Sequence, residues 1–323
     1  MKIPSACFFQ QLLVAACYLV LGSGMQGAAA NDQELAGRKL RAVGTEVGLN
    51  GLSPQDAEIA AKLFIGEALK GSKFTVEYRV VRDQRRILEG LIAGDIDTLG
   101  MTAMEFFRWR QYLLQAPLFA GAIGDETKGV ALLLVREDSG VQSIERLRGK
   151  RIAMTFLNDF HELFIDVELL RKGLPRAQRF FSHIAEGATG SSAVTDLYFG
   201  KTDAAVIWSH EYRAAVELNP AIERHTRVLA SSIPYTIHLV ALRKGINDAA
   251  ERALFEHIFT SALNVTQRGK HMRSMANITS YRKIEASDLD PVAALLSERE
   301  RLISSLAATK QVAARNRSAR NSP

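Results

Sequence analysis

The chain has 323 residues, 47% of them hydrophobic and 24% charged, a globular balance that excludes a disordered or fibrous protein. The formal net charge of +6 invites a polyanionic partner, but Lys310, Arg315, Arg317 and Arg320 crowd the final stretch 310–323 with no acid among them. That leaves the body near neutrality, so no nucleic-acid partner is expected. Both cysteines, Cys7 and Cys17, fall in the first stretch, so the rest of the chain has no thiol nucleophile and no cysteine metal site.

Residues 1–30 read as an export signal. Lys2 supplies the positive end, an apolar run follows from Ala6 to Leu21, and Ala28 and Ala30 give the small-residue pattern for cleavage before Asn31. The run is shorter than the roughly 20 residues that span a bilayer. Cys17, after Val14-Ala15-Ala16, leaves lipidation open as an alternative. Export without mature cysteines suits a periplasmic protein.

The body then alternates strand-like and helix-like segments. Lys39 to Gly44 is a strand. Pro54 to Lys70 is a helix with Ser53 as N-cap and Gly71 as its stop. Phe74 to Val81 is a strand, Gln84 to Ala93 a helix closed by Gly94, and Asp97 to Met101 a short buried strand. Thr102 starts another helix. Val130 to Val135 is a continuous apolar strand, followed by a turn capped by Ser143 and a strand over Arg151 to Met154. A helix follows over Asp159 to Lys172, then a β-like run over Phe180 to Ala185. Ser191 to Phe199 is a helix ended by Gly200. Asp203 to Trp208 is a strand and Glu211 to Leu218 a helix. Arg227 to Ala230 and His238 to Leu242 are strands, Asp248 to Thr266 is a long helix, and a last helix runs over 291–309. Nine strands alternating with helices predict an α/β protein with parallel sheets, more than one lobe holds comfortably.

Three stretches carry a resemblance. The first is Leu88 to Asp97, a helix ending in Gly94-Asp95-Ile96-Asp97. The second is Ser143-Ile144 through Gly149-Lys150-Arg151-Ile152-Ala153. The third is Gly200-Lys201-Thr202-Asp203-Ala204-Ala205-Val206, with Ser232-Ile233-Pro234 beyond it. In this order they resemble the phosphonate-binding-like family of periplasmic solute-binding proteins. The resemblance implies the two-lobed type II periplasmic-binding-protein fold, each lobe a mostly parallel sheet flanked by helices. The expected division is 31–135 plus 232–290 as the first lobe, 136–231 as the second, 291–309 as a C-terminal helix and 310–323 as a disordered basic tail. Asp97 and Asp203 are expected at equivalent strand entrances, accepting bonds from free backbone N–H groups.

Ligands of such folds bind at the carboxyl ends of strands, where helix N-termini favour anions. This selects Thr45, Thr102, Thr155, Asn158, His161, His210 and Glu211, to which the resemblance adds His183. Where the family carries a hydroxyl-rich phosphoryl cradle, this chain reads Thr155-Phe156-Leu157-Asn158-Asp159-Phe160-His161, and Asp159 would repel a dianion. No His-x-x-x-His pair, Gly-x-Ser-x-Gly elbow or Walker loop occurs, so no enzyme, metal or cofactor is expected. The resemblance implies a monomeric binding protein that closes on a small, phosphonate- or phosphate-like anion for an ABC-type membrane permease. The alternative is a ligand sensor signalling to a membrane kinase.

Overall fold

The computed structural model describes residues 39–45, 53–68, 75–155, 159–246, 249–265, 267–275 and 278–320. The expected export signal and Asn158 lie outside these residues.

Thirteen strands are present among them: β1 (Lys39–Thr45), β2 (Thr75–Val81), β3 (Thr98–Thr102), β4 (Leu113–Ala122), β5 (Lys128–Gly129), β6 (Ala131–Arg136), β7 (Arg151–Thr155), β8 (His183–Ala188), β9 (Ala204–Trp208), β10 (Thr226–Ser231), β11 (Tyr235–Thr236), β12 (His238–Arg243) and β13 (Ser280–Ile284). The α-helices are α1 (Pro54–Ala68), α2 (Gln84–Ala93), α3 (Ala103–Trp109), α4 (Asp159–Arg171), α5 (Ala177–Phe180), α6 (Gly190–Tyr198), α7 (Ser209–Leu218), α8 (Ala221–His225), α9 (Ala249–His257), α10 (Leu263–Val265), α11 (Gln267–Met275) and α12 (Asp290–Arg320).

Two sheets form two lobes. The first has the order β13-β4-β12-β3-β1-β2 and the second β10-β6-β9-β7-β8. In the first, β1 pairs in parallel with both β2 and β3, while β12 lies antiparallel between β3 and β4. In the second, β7 pairs in parallel with β8 and β9, and β6 runs against β9. Most strands of each sheet therefore point the same way, and their carboxyl ends meet between the lobes. A separate ribbon, β5 with β11, lies where the chain crosses from one lobe to the other and back.

The crossing corrects the expected boundary at residue 135. β6 belongs wholly to the second sheet, because its apolar run pairs with β9 on one side and β10 on the other. An apolar strand carries no mark of the sheet it joins. Four strands escape the pattern reading. β4 hides behind Pro117, which demotes a run to edge or loop in sequence terms. Here Pro117 sits in the stretch where β4 makes no register with β12, between Leu113 and Leu118, so its missing donor breaks no bond. β5 and β11 are too short to show a period, and β13 is mostly polar. The run Phe180 to Ala185 splits: Phe180 ends α5, Phe180 and Phe181 pack edge-to-face and buried, and the strand starts at His183.

Each lobe has its own packed centre. Phe119 of β4 stacks on Phe259 at 5.3 Å and meets Phe255 edge-on in the first. Leu134, Ala205 and Ile207 pack with Val194 and Leu197 of α6 in the second. Fully burying such side chains stabilises by about 1.5–3 kcal/mol each.

The lobes share a device at their strand entrances. In the first, α2 ends at Gly94 in a left-handed conformation (φ 78°), and Asp97 accepts from the backbone N–H of Arg41 at 2.9 Å and from its Nε at 2.8 Å. In the second, Gly200 has φ 72°, and Asp203 accepts from the Arg151 backbone at 2.9 Å and from its Nε at 3.2 Å. Both aspartates thus hold the start of a neighbouring parallel strand, as expected from their place in sequence.

α12 leaves the first lobe after β13 and lies along α4 of the second. Arg171 grips Glu298 with two bonds of 2.8 and 2.9 Å, and Arg299 stands 3.7 Å from the buried Asp166. The helix continues to Arg320, past residue 309 where the sequence reading ends it. Its last turns hold Ala, Gln and Arg, good helix formers, with no Gly or Pro to stop them.

Candidate functional site

The carboxyl ends of β1, β3, β7 and β9 bring together Thr45, Thr102, Thr155 and Trp208. Helices begin at once after β3 and β9, and α4 begins shortly after β7. The two lobes solve the helix start alike. Thr102 caps α3 in a capping box: its hydroxyl accepts from the Glu105 N–H at 3.2 Å, and its own N–H donates to Glu105 Oε2 at 2.9 Å. Thr45 Oγ1 donates to the same oxygen at 2.8 Å. At the start of α7, the N–H of Trp208 donates to Glu211 Oε2 at 3.1 Å. Glu211 also touches the backbone of α6 so closely that a Cβ on Gly190 would lie 2.2 Å from its carboxyl carbon.

So the hydroxyls and N–H groups selected to meet an anion in the first lobe are already taken by an internal carboxylate. Thr45 and Thr102 are second-hand to the ligand: they hold Glu105. Burial pushes both the Glu105 and the Glu211 carboxyls up, against the pull of these hydrogen bonds.

Asp159 opens α4 between the lobes. Burial pushes its carboxyl up to about 7, the charge of Glu105 adds to the shift, and Arg108 and Arg299 pull the other way. His161 is fully buried against Trp208, at 4.9 Å between ring centres. Burial holds its imidazole down at about 3, with His210 adding to it, so the ring is neutral at physiological pH. His210 stacks along Trp208 and is lowered by burial to about 4. From the ribbon strand β11, Tyr235 stacks on Phe160 and meets Trp208 at 4.9 Å. His238 lies nearby in β12, beside Gly100, and is likewise lowered by burial to about 4.

Five described residues carry buried side-chain polar atoms without a hydrogen-bond partner: Asp159, His161, Thr202, Tyr235 and Thr236. Asp159, His161 and Tyr235 gather at this place, whereas Thr236, next after Tyr235 in β11, leaves the opposite face of that strand. Such atoms are few in folded proteins, because leaving each unpaired costs about 1–3 kcal/mol. Their convergence between two lobes marks a place built to receive polar atoms from elsewhere. Tyr235 brings a hydroxyl, His161 a neutral N–H and acceptor, and Asp159 a carboxyl.

The eight residues selected from sequence divide as follows. Thr45, Thr102, His161, His210 and Glu211 come together here. Thr155 ends β7 at the same level, its side chain outside the described set, and Asn158 lies outside it altogether. His183 does not belong: it is exposed and pairs in register with Arg151 at the start of β7, the opposite end of the sheet. A β-like run starting at Phe180 would have placed it mid-strand, but the strand starts three residues later. Lys150 and Asp203 also lie at that far end, lining a surface depression with Arg136, Ser139 and Arg146. The sequence segments that carry the resemblance therefore build the sheet and leave the cleft to other residues. Sequence reasoning missed Glu105 and Tyr235. Glu105 was detectable as the fourth residue of a Thr-x-x-Glu box; nothing local marks Tyr235.

Among the described residues, no group of three or more His, Cys, Asp or Glu is arranged to hold a metal ion, and no helix is long and apolar enough to cross a membrane.

Several solved structures share the fold. A Xanthomonas citri protein bound to chloride ion superposes with a TM-score of 0.60 at 16% identity, over 82% of this chain and 99% of that one. A binding protein component of an ABC phosphonate transporter from Pseudomonas aeruginosa gives 0.60 at 12% identity, over 83% and 89%. PhnD1 from Prochlorococcus marinus, in complex with methylphosphonate, gives 0.57 at 13% identity, over 80% and 96%. No curated protein sequence matches the chain. Residues 64–289, most of the chain, match the family model described as "ABC transporter, phosphonate, periplasmic substrate-binding protein". With two sheets meeting at a cleft of partnerless polar groups, the chain belongs to this family of periplasmic substrate-binding proteins, which are carriers of ligands and not enzymes.

Proposed function

We propose that the chain is exported by its N-terminal segment, cleaved before Asn31, and acts in the periplasm as a monomer that closes on a small phosphonate- or phosphate-like anion. It then presents the closed form to an ABC-type permease. The observation that carries this reading is the pair of unpaired groups between the lobes: the Tyr235 hydroxyl and the neutral His161 ring. Neutral donors in a dry site bind an oxyanion through directed hydrogen bonds. Trp208 and Phe160 supply the apolar wall and exclude water. Closure follows from higher affinity for the closed state, where donors of both lobes reach the same ligand.

Titration calorimetry with methylphosphonate, inorganic phosphate and methanesulfonate tests it. Binding of one of the phosphorus oxyanions is expected. Replacing Tyr235 by Phe should weaken it about tenfold, since the lost bond is worth about 1–1.5 kcal/mol. Undiminished affinity in this variant would place the ligand elsewhere.

A further inference from the structure

Glu105 and Asp159 stand on opposite lobes, on α3 and α4; Glu105 is buried and Asp159 partly buried. Glu105 is fixed by Thr45 and Thr102 and cannot turn away. Asp159 keeps one buried oxygen, Oδ1, without a partner. The charged and titratable groups acting on Asp159 are Glu105 and Arg108 of α3, Arg299 of α12 and Glu162 of its own helix. Tyr235 of β11 feels the Asp159 charge in turn. His161, two residues further along α4 and so on a different side of the helix, is neutral. The two arginines act from a distance, with no bond to Asp159 among the described contacts. An anion entering here meets two like charges, and among the described residues no cation is bonded to Asp159.

We propose that ligand capture is proton-coupled: the cleft takes its oxyanion together with one proton, held between the Asp159 carboxyl and a ligand oxygen. The inference rests on the anion reading above. No bond is made or broken apart from that proton transfer. Above neutrality, ionised Asp159, a dianionic phosphonate and one proton from solvent form the complex. Asp159 then serves as a specificity-determining residue, because its free oxygen has a use only when a hydrogen lies between it and the ligand. The elevated proton affinity that burial and Glu105 give this carboxyl supports the assignment.

The test is calorimetry of methylphosphonate binding to the mature protein from pH 7 to 9, in two buffers of different ionisation enthalpy. Affinity should fall about tenfold per pH unit above pH 8, with one proton taken up per ligand. In Asp159→Asn, where an amide N–H replaces the proton, both the slope and the uptake should vanish, and affinity at pH 9 should exceed that of the unaltered protein. Glu105→Gln removes the like charge, so the fall should begin at lower pH; this variant carries the test if Asp159→Asn does not fold. A pH-independent affinity in the unaltered protein, or an undiminished slope in Asp159→Asn, would overturn the inference while leaving the anion reading intact. Failure of the unaltered protein to bind methylphosphonate or phosphate at any pH overturns both.

Discussion

Glu105 and Glu211 occupy matching positions, each the third residue of a helix that starts where a strand ends. Each carboxylate satisfies a backbone N–H that a helix start would otherwise offer to a ligand. The cost of such internal anions is paid in specificity: a bare dianion no longer finds a free helix N-terminus. Gly190 belongs to the same arrangement, because only a residue without a side chain lets α6 approach Glu211. Gly190→Ala is expected to destabilise the fold by about 1–3 kcal/mol through this overlap, read as a lowered midpoint in urea. At Asp159 the folded carboxyl binds its proton more tightly than the unfolded one. It therefore contributes stability that is full below about pH 4 and is lost as pH rises through about 7. His161, His210 and His238 act oppositely: held neutral by burial, they withdraw stability as pH falls below about 6.5 towards 4 or 3. The separable prediction is that Asp159→Asn raises the thermal midpoint more at pH 8 than at pH 5. An equal shift at both would mean that the carboxyl does not titrate in that window.

At the level of elements, the helix starts and strand entrances follow local rules and were readable. Asp97 and Asp203 could be assigned to strand entrances because a Gly that stops a helix and an Asp before an apolar run recur in both halves of the chain. Thr102 could be assigned as a cap for the same kind of reason, although its partner Glu105 changes its meaning from ligand donor to support. Thr102→Val removes the capping hydroxyl and should cost about 1 kcal/mol of stability, with a larger effect on binding only if Glu105 swings into the cleft. Asp203→Ala should cost more, about 1.5–3 kcal/mol, since Arg151 loses both a side-chain partner and a fixed backbone N–H; chemical denaturation decides between them. What stayed hidden was non-local. Tyr235 reads as part of an ordinary stretch after a proline, and it matters because the returning chain is pinned to β5. Pro117 concealed β4 because the gap in pairing that tolerates it is set by β12, more than 100 residues away.

For the whole molecule, a ribbon joins the crossings between two sheets, and the candidate site lies at the carboxyl ends of their strands. The lobed fold was legible from strand–helix alternation; the ligand was not, because the segments that identify the family sit at the far end of the sheets. α12 adds a constraint that a simple hinge lacks. It is rooted in the first lobe by β13, touches α3, and is clasped to α4 of the second lobe by Arg171 and Glu298. Arg171→Ala should cost no more than about 1 kcal/mol, as expected for a partly exposed ion pair. It should nevertheless enlarge the radius of gyration of the ligand-free protein in small-angle scattering, with no change in the ligand-bound form.

In the closure proposed above, the C-terminal helix would act as a tie-rod. A hinge alone lets two jaws swing freely, but a rod fixed to one jaw and clipped along the other converts swinging into sliding. The jaws can part only as far as the rod slips along α4 or its clip releases. Under the proposed closure, the rod would limit how far the lobes part, and hence how large a molecule could enter the cleft.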